Sequence, residues 1–157
     1  MRCVQVSRAD AQRLVAILHD AEEDDDRLRS ALGDPACQAY AAVRGDAAVG
    51  AAVVRWARGQ SLVPSEILYI AVVAAQRRSG IGRQIIEAIV AELPAHGRRL
   101  LVGTANSSLD NIAFYQKCGF RMHSVRRDYF TYIQPPIQEG GIVMRDMVVF
   151  DFDLDAG

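Results

Sequence analysis

Hydrophobic and polar positions alternate along this chain with two different periods. RCVQV (2–6) switches residue by residue, as a short strand does. From Ser7 the period lengthens. Leu14, Val15, Ile17 and Leu18 make an apolar stripe at helical spacing, and Ser7 and Asp10 stand as a capping box does, so SRADAQRLVAILHDA predicts an amphipathic helix. The acidic EEDDD (22–26) leads into a short second helix ending near Gly33. CQAYAAVRGDAAVGAAVVRWA predicts two strands turning at Arg44–Asp46, where glycine supplies the backbone angles of a hairpin. EILYIAVV is a further strand, followed by a helix running to about Leu93, with Pro94 and Gly97 at its end. RRLLVGTA, FRMHSV and VMRDMVVFDFD are strands, and SLDNIAFYQKC is a helix that Gly119 terminates. Helices and strands interleave, yet the hairpin rules out a purely parallel sheet. The pattern predicts one α/β (α+β) domain over residues 1–157, with a mixed, mostly antiparallel sheet of six or seven strands and about four helices.

Composition narrows the function classes. A chain of 157 residues with a formal net charge of −1 has the size of one domain and lacks the basic excess of a general nucleic-acid binder. No apolar run reaches the length of a membrane span, and MRCVQVSRAD lacks a signal peptide's apolar stretch. Cys3, Cys37 and Cys118 are scattered and form no CxxC pair, which favours reduced thiols in a cytoplasm. His19, His96 and His123 are equally dispersed, so no metal site is expected. The Arg44-Gly45-Asp46 triplet has the letters of an adhesion motif, but in such a chain it reads as a turn.

The chemistry concentrates at IAVVAAQRRSGIGRQII (70–86), where a strand hands over to a helix. No GxxxxGK[ST] loop occurs, and a GxGxxG fingerprint fails because Ile85 stands at its third glycine. What stays is R-x-x-G-x-G at Arg77, Gly80 and Gly82. Glycines there let backbone amides approach a phosphate at a helix N-terminus, and Arg77, Arg78 and Arg83 can add full charges. The competing reading is a glycine-rich turn with solvated arginines. In SLDNIAFYQKCGF (108–120), Ser108, Asn111 and Tyr115 are spaced to share one helical face carrying a hydroxyl, an amide and a phenol. The competing reading there is a core role for Phe114 and Tyr115.

Together the two motifs resemble the GNAT superfamily of N-acetyltransferases. Ile70-Ala71-Val72 with Arg77 to Gly82 is similar to the family's strand and Q/RxxGxG/A loop, and Ala113, Phe114, Tyr115, Lys117, Gly119 and Phe120 are similar to its later signature. The resemblance implies acetyl-CoA as cosubstrate. Its pyrophosphate would lie on Arg77, Arg78, Ser79, Gly80, Ile81, Gly82 and Arg83, and its pantetheine arm would pair with Ile70, Ala71 and Val72 beside a local bulge. The Val72 amide would stabilise the oxyanion. Tyr115 would be the general acid that protonates the leaving thiolate, and Glu66 the general base near the acceptor. The family's glutamate on the following strand has no counterpart around Gly103 and Thr104, and its asparagine seven residues before the tyrosine is Ser108 here. Asn106 or Asn111 would then hold the pantetheine alongside Ser108. The implied function is transfer of an acetyl group to a primary amine of a small molecule or peptide. The alternative is a non-catalytic acyl-CoA-binding or sensing module on the same fold. The acidic segment Ala21 to Asp34 and the long connection 126–141 are the expected acceptor walls, with Asp128, Tyr129, Tyr132 and Glu139 to bind a cationic amine and Glu22 to Asp26 to attract one, against the reading of the acidic run as a solvated face. A homodimer is left open.

Overall fold

The computed structural model describes residues 1–59 and 62–156. The chain divides into two compact units, Met1–Arg98 and Arg99–Gly157.

In the first unit, strands β1 (Arg2–Val6), β2 (Cys37–Arg44), β3 (Ala47–Arg55) and β4 (Ser65–Val72) form an antiparallel meander in that order. The β2–β3 turn falls at Gly45, whose φ of 61° fits the expected hairpin. The predicted first helix is broken. It runs as α1 (Arg8–Ala11), a 3₁₀ turn at Gln12–Leu14 and α2 (Val15–Leu18). Ser7 accepts from the amide of Asp10 as the capping box requires, and the tightened turn lets Leu14, Val15 and Leu18 all reach the core. Helix α3 (Asp25–Gly33) ends where Gly33 was expected to end it.

The two middle strands are apolar on both faces because both faces are covered. Leu18, Leu28 and Leu32 pack with Ala39, Ala41, Ala51 and Val53. On the other face lies α4 (Ile81–Glu92), which buries Ile81, Ile85, Ile86 and Ile89. Gly50 sets how closely it sits: a Cβ there would stand 2.9 Å from Ile85 Cδ1 and 3.2 Å from the Ala71 carbonyl oxygen.

In the second unit, β5 (Arg99–Ala105) and β6 (Arg121–Arg126) each pair antiparallel with β9 (Met147–Asp153), and α5 (Leu109–Lys117) links β5 to β6. Gly119, at φ 97°, ends α5. The long connection carries a small hairpin that the hydrophobic pattern does not show, β7 (Gln138–Glu139) and β8 (Ile142–Val143), turning at Gly140 and Gly141 with φ of 57° and 81°. The α+β class, the antiparallel pairing and the strand number expected from sequence are borne out. No helix among the described residues is long and apolar enough to cross a membrane.

Candidate active site

The strand-to-helix junction is a cradle of backbone. After β4 a 3₁₀ turn (Ala74–Gln76) leads to Arg78 and Gly80, which take left-handed φ angles of 61° and 83° with Ser79 between them. Such an alternation turns successive N–H groups toward one side, forming an anion-binding concavity. Ser79 Oγ donates to the Gln76 carbonyl and fixes the turn. Gly80 is the N-cap of α4 and offers no side-chain oxygen, so no side chain caps this 12-residue helix. A Cβ at Gly80 would meet nothing within 4 Å, so the glycine serves the left-handed backbone and not close packing. Gly82 lies inside the first turn of α4 and is not among the positive-φ glycines.

Arg77 is tied into the protein. Its Nη2 stands 2.6 Å from Asp20 Oδ2, and its Nε donates to the Val72 carbonyl at 3.2 Å. That carbonyl points away from β3, because Val73 N–H donates to Val49. Strand alternation then turns the N–H and C=O of Val72, and those of Ile70, toward the edge of β4 that faces away from β3. Ala71 points its backbone back to Ala51.

The anticipated bulge is present. Val53 pairs with Tyr69 and Val54 with Ile67, so Leu68 is the extra residue of β4. Beside it opens a pocket of about 430 Å³, lined by residues of α3, the ends of β2 and β3, and the bulge pair Leu68 and Tyr69. Glu66 is 6% exposed, and its Oε2 accepts from Arg55 Nη2 at 2.9 Å. Glu22, 9% exposed, holds Arg27 Nε at 3.5 Å and accepts from the Asp24 amide. The acidic run is thus largely a capping device: Asp24 caps α3 through the amides of Asp26 and Arg27, and Asp25 meets His19 at 3.0 Å. Cys37 also lines the pocket. Burial, and then the charge of Asp34, pushes its thiol up to about 11, against the opposing pull of Arg55.

In the second unit Tyr115 packs its ring among Phe114, Phe120 and Phe150. Burial, with Cys118 adding to it, raises its pKa and keeps the phenol protonated. Its hydroxyl makes no hydrogen bond among the described residues. The residue as a whole is buried, at 5% exposure. Ser108 is the N-cap residue of α5 and donates to Glu139 Oε1 at 3.0 Å, as does Ser107 at 2.9 Å. Asn111 Nδ2 donates to Thr104 Oγ1 at 3.3 Å. Asn106 is spent on the β8 side of the connection: Nδ2 donates to the Val143 carbonyl, and Oδ1 accepts from the amides of Arg145 and Asp146. Of the expected cation-binding groups, Asp128 pairs with Arg145 at 2.6 Å and Glu139 holds the two serines, while Tyr129 stacks edge-on against Phe130.

The structure therefore gathers Glu66, Ile70 to Val72 and Arg77 to Arg83 in the first unit, and Ser108, Asn111 and Tyr115 in the second. Sequence reading took Glu22 only as part of the acidic segment, and singled out none of Asp20, Arg27 and Arg55. Arg55 and Glu66 are register partners across the β3–β4 ladder, beyond the bulge. No group of three or more metal-ligating side chains occurs among the described residues.

The family model described as "Acetyltransferase (GNAT) family" matches residues 6–120. An uncharacterized N-acetyltransferase of Bacillus subtilis (strain 168), YvbK, is 35% identical over 119 residues, which span 74% of this chain and 75% of that protein. Among solved structures, an IAA acetyltransferase from Bacillus cereus ATCC 14579 is 30% identical with a TM-score of 0.85, over 98% of this chain and 99% of that one. A Bacillus subtilis acetyltransferase in complex with CoA is 31% identical with a TM-score of 0.84, over 98% of each chain.

Proposed function

From the premise that this chain belongs to the acetyltransferase (GNAT) family, we propose that it transfers an acetyl group from acetyl-CoA to a primary amine, both substrates being bound together. The observation that carries this reading is the cradle at 77–83: two left-handed residues leading into an uncapped helix, directly after a strand end whose polar groups face outward. A solved relative at 31% identity holds CoA, which is the ligand such a cradle suits.

The donor set fits the ligand. Arg78, Ser79 and the first amides of α4 would take the pyrophosphate oxygens, and the helix dipole favours their charge. Arg77 acts from behind, holding the end of β4 against Asp20. The outward edge at Ile70 and Val72 would accept the pantetheine amides as an added strand, and the Val72 N–H would polarise the thioester carbonyl. Acetyl-CoA supplies an acyl group on a good leaving thiolate. The amine nitrogen forms the C–N bond, the C–S bond breaks, one proton leaves the nitrogen and one is returned to sulfur. A primary amine with pKa near ~10.4 arrives mostly protonated, so a base must act first. Glu66 is assigned that role, through water, and it also braces Arg55. Tyr115 is assigned the proton return, since burial holds its phenol protonated. Ser108 and Asn111 are assigned to the pantetheine arm.

The test couples binding to turnover. Calorimetry should show acetyl-CoA binding to the parent protein and not to Gly82→Val, whose branched side chain fills space that the phosphates need. Thiol release should then rise on adding at least one amine from a diverse set. Tight acetyl-CoA binding without amine-stimulated release would favour a sensing module instead, and unchanged binding by a folded Gly82→Val would remove the pyrophosphate assignment.

A further inference from the structure

We propose that Glu139, on the small hairpin of the second unit, is a positioning residue for the cosubstrate. It takes the hydroxyl proton of Ser108 and so leaves that serine only an acceptor toward the pantetheine arm. The inference rests on the assignment of Ser108 to that arm and adds the group that sets its polarity.

Three consecutive side chains between β5 and α5 reach the hairpin and its flank. Asn106 Nδ2 donates to the Val143 carbonyl at 3.0 Å, and its Oδ1 accepts from the amides of Arg145 and Asp146. Ser107 Oγ and Ser108 Oγ both donate to Glu139 Oε1, at 2.9 and 3.0 Å. Glu139 is the register partner of Ile142, and the Met144 N–H closes the open end of that ladder on the Ile137 carbonyl at 2.8 Å. The carboxylate is therefore held by backbone on its own side and by two hydroxyls on the other. Its place beside the N-cap of α5 also suits a negative charge.

A serine hydroxyl has one proton and two lone pairs, and an ionised carboxylate only accepts. With its proton on Glu139 Oε1, the Ser108 oxygen meets any other partner as an acceptor, and the charge behind it makes it a stronger one. An N-cap serine ordinarily spends a lone pair on the amides of its own helix. Ser108 does not, because no side-chain bond caps α5. Burial separates the two serines. Ser107 is 4% exposed, so the half-buried Ser108 is the one that a ligand reaches. A pantetheine arm carries two amide N–H groups, and a dedicated acceptor complements one of them. A serine hydroxyl without such a partner rotates to suit donor or acceptor, and so distinguishes an amide from an ester poorly.

The experiment measures equilibrium binding of CoA to the whole protein by calorimetry, beside two analogues in which one or the other pantetheine amide nitrogen is replaced by oxygen. At one of the two positions the parent should prefer the amide by about tenfold, the scale of a lost hydrogen bond with lone pairs left facing each other. Ser108→Ala identifies that position by abolishing the part of the preference that belongs to the serine. Glu139→Ala should shrink the same preference at least threefold, and should move it no further once Ser108→Ala is present. Adding Ser107→Ala to Glu139→Ala removes the buried hydroxyl that would otherwise be left unpaired, and gives the same reading if the single variant folds poorly.

A role for Glu139 in tying down the hairpin alone would weaken CoA and both analogues equally. An unchanged amide preference in the Glu139 variants would therefore overturn the inference. So would a preference that Ser108→Ala leaves untouched at both positions. Either result leaves acetyl transfer standing, because the parent still binds CoA. No CoA binding by the parent would remove that reading as well.

Discussion

At the scale of single residues, the burial of Tyr115 separates two roles that share one side chain. The ring is core, so its loss would be structural, but the hydroxyl is bonded to nothing in the described chain. Tyr115→Phe should therefore melt within a few degrees of the parent and bind acetyl-CoA equally well, while kcat falls by about 10²–10⁴-fold. The loss should shrink with a donor whose thiol has a lower pKa. A kcat within about threefold of the parent, well short of the usual acid–base contribution, would return Tyr115 to the core alone. Cys37 gives a second residue-scale expectation. With its thiol pushed up to about 11, almost none of it is thiolate at neutral pH, and thiolate is the reactive form. Its alkylation at pH 7.5 should be far slower than that of a free thiol, and mass spectrometry of the modified peptide would show the difference. The glycine and arginine cluster was legible in sequence because left-handed turns need glycine. Gly82 was legible by type but not by conformation: it lies within helical backbone, and it is Arg78 that adopts the left-handed angle beside Gly80. Arg55 escaped notice because the Leu68 bulge shifts the ladder by one residue, and only the true register puts it opposite Glu66.

At the scale of elements, the closeness of α4 to the sheet depends on Gly50. A methyl there would stand 2.9 Å from Ile85 Cδ1, which a rotamer change could relieve, and 3.2 Å from the Ala71 backbone oxygen, which is far less yielding. Gly50→Ala should cost about 1–3 kcal/mol by overpacking. It should also displace the start of α4, so that acetyl-CoA affinity falls along with the melting temperature. Urea unfolding and calorimetry on one preparation would check both. Most elements were legible because apolar spacing changes period at their boundaries. The β7–β8 hairpin was not, because its strands are two residues each and carry no period at all; EGG marked only its turn. The break between α1 and α2 was hidden for a related reason, since a 3₁₀ turn keeps the same residues apolar.

At the scale of the molecule, three titrating groups point the same way. The pKa values of Tyr40, Tyr115 and Cys37 are all raised, with burial the first cause in each. For groups that fold in their neutral form, the stabilisation is complete below the unfolded pKa values, 9.0 for Cys and 10.0 for Tyr, and is lost as pH rises through the higher folded values. Melting temperature should thus fall from about pH 9 upward, and the fall should be smaller in a Cys37→Ala, Tyr40→Phe double variant. A melting temperature unchanged to pH 11 would contradict the burial of these groups.

The uncapped start of α4 has a consequence for how the protein can be watched. The first amides of any helix lack intrahelical acceptors, and here no side chain substitutes for them. In the free protein the N–H groups of Ile81 and Gly82 should trade hydrogen for deuterium quickly, although Ile85 and Ile89, a turn or two along, sit in the most protected part of the unit. Filling the cradle would slow the first two and leave the others as they were. Two neighbouring amides would then act as a built-in occupancy gauge, reporting ligand arrival independently of turnover.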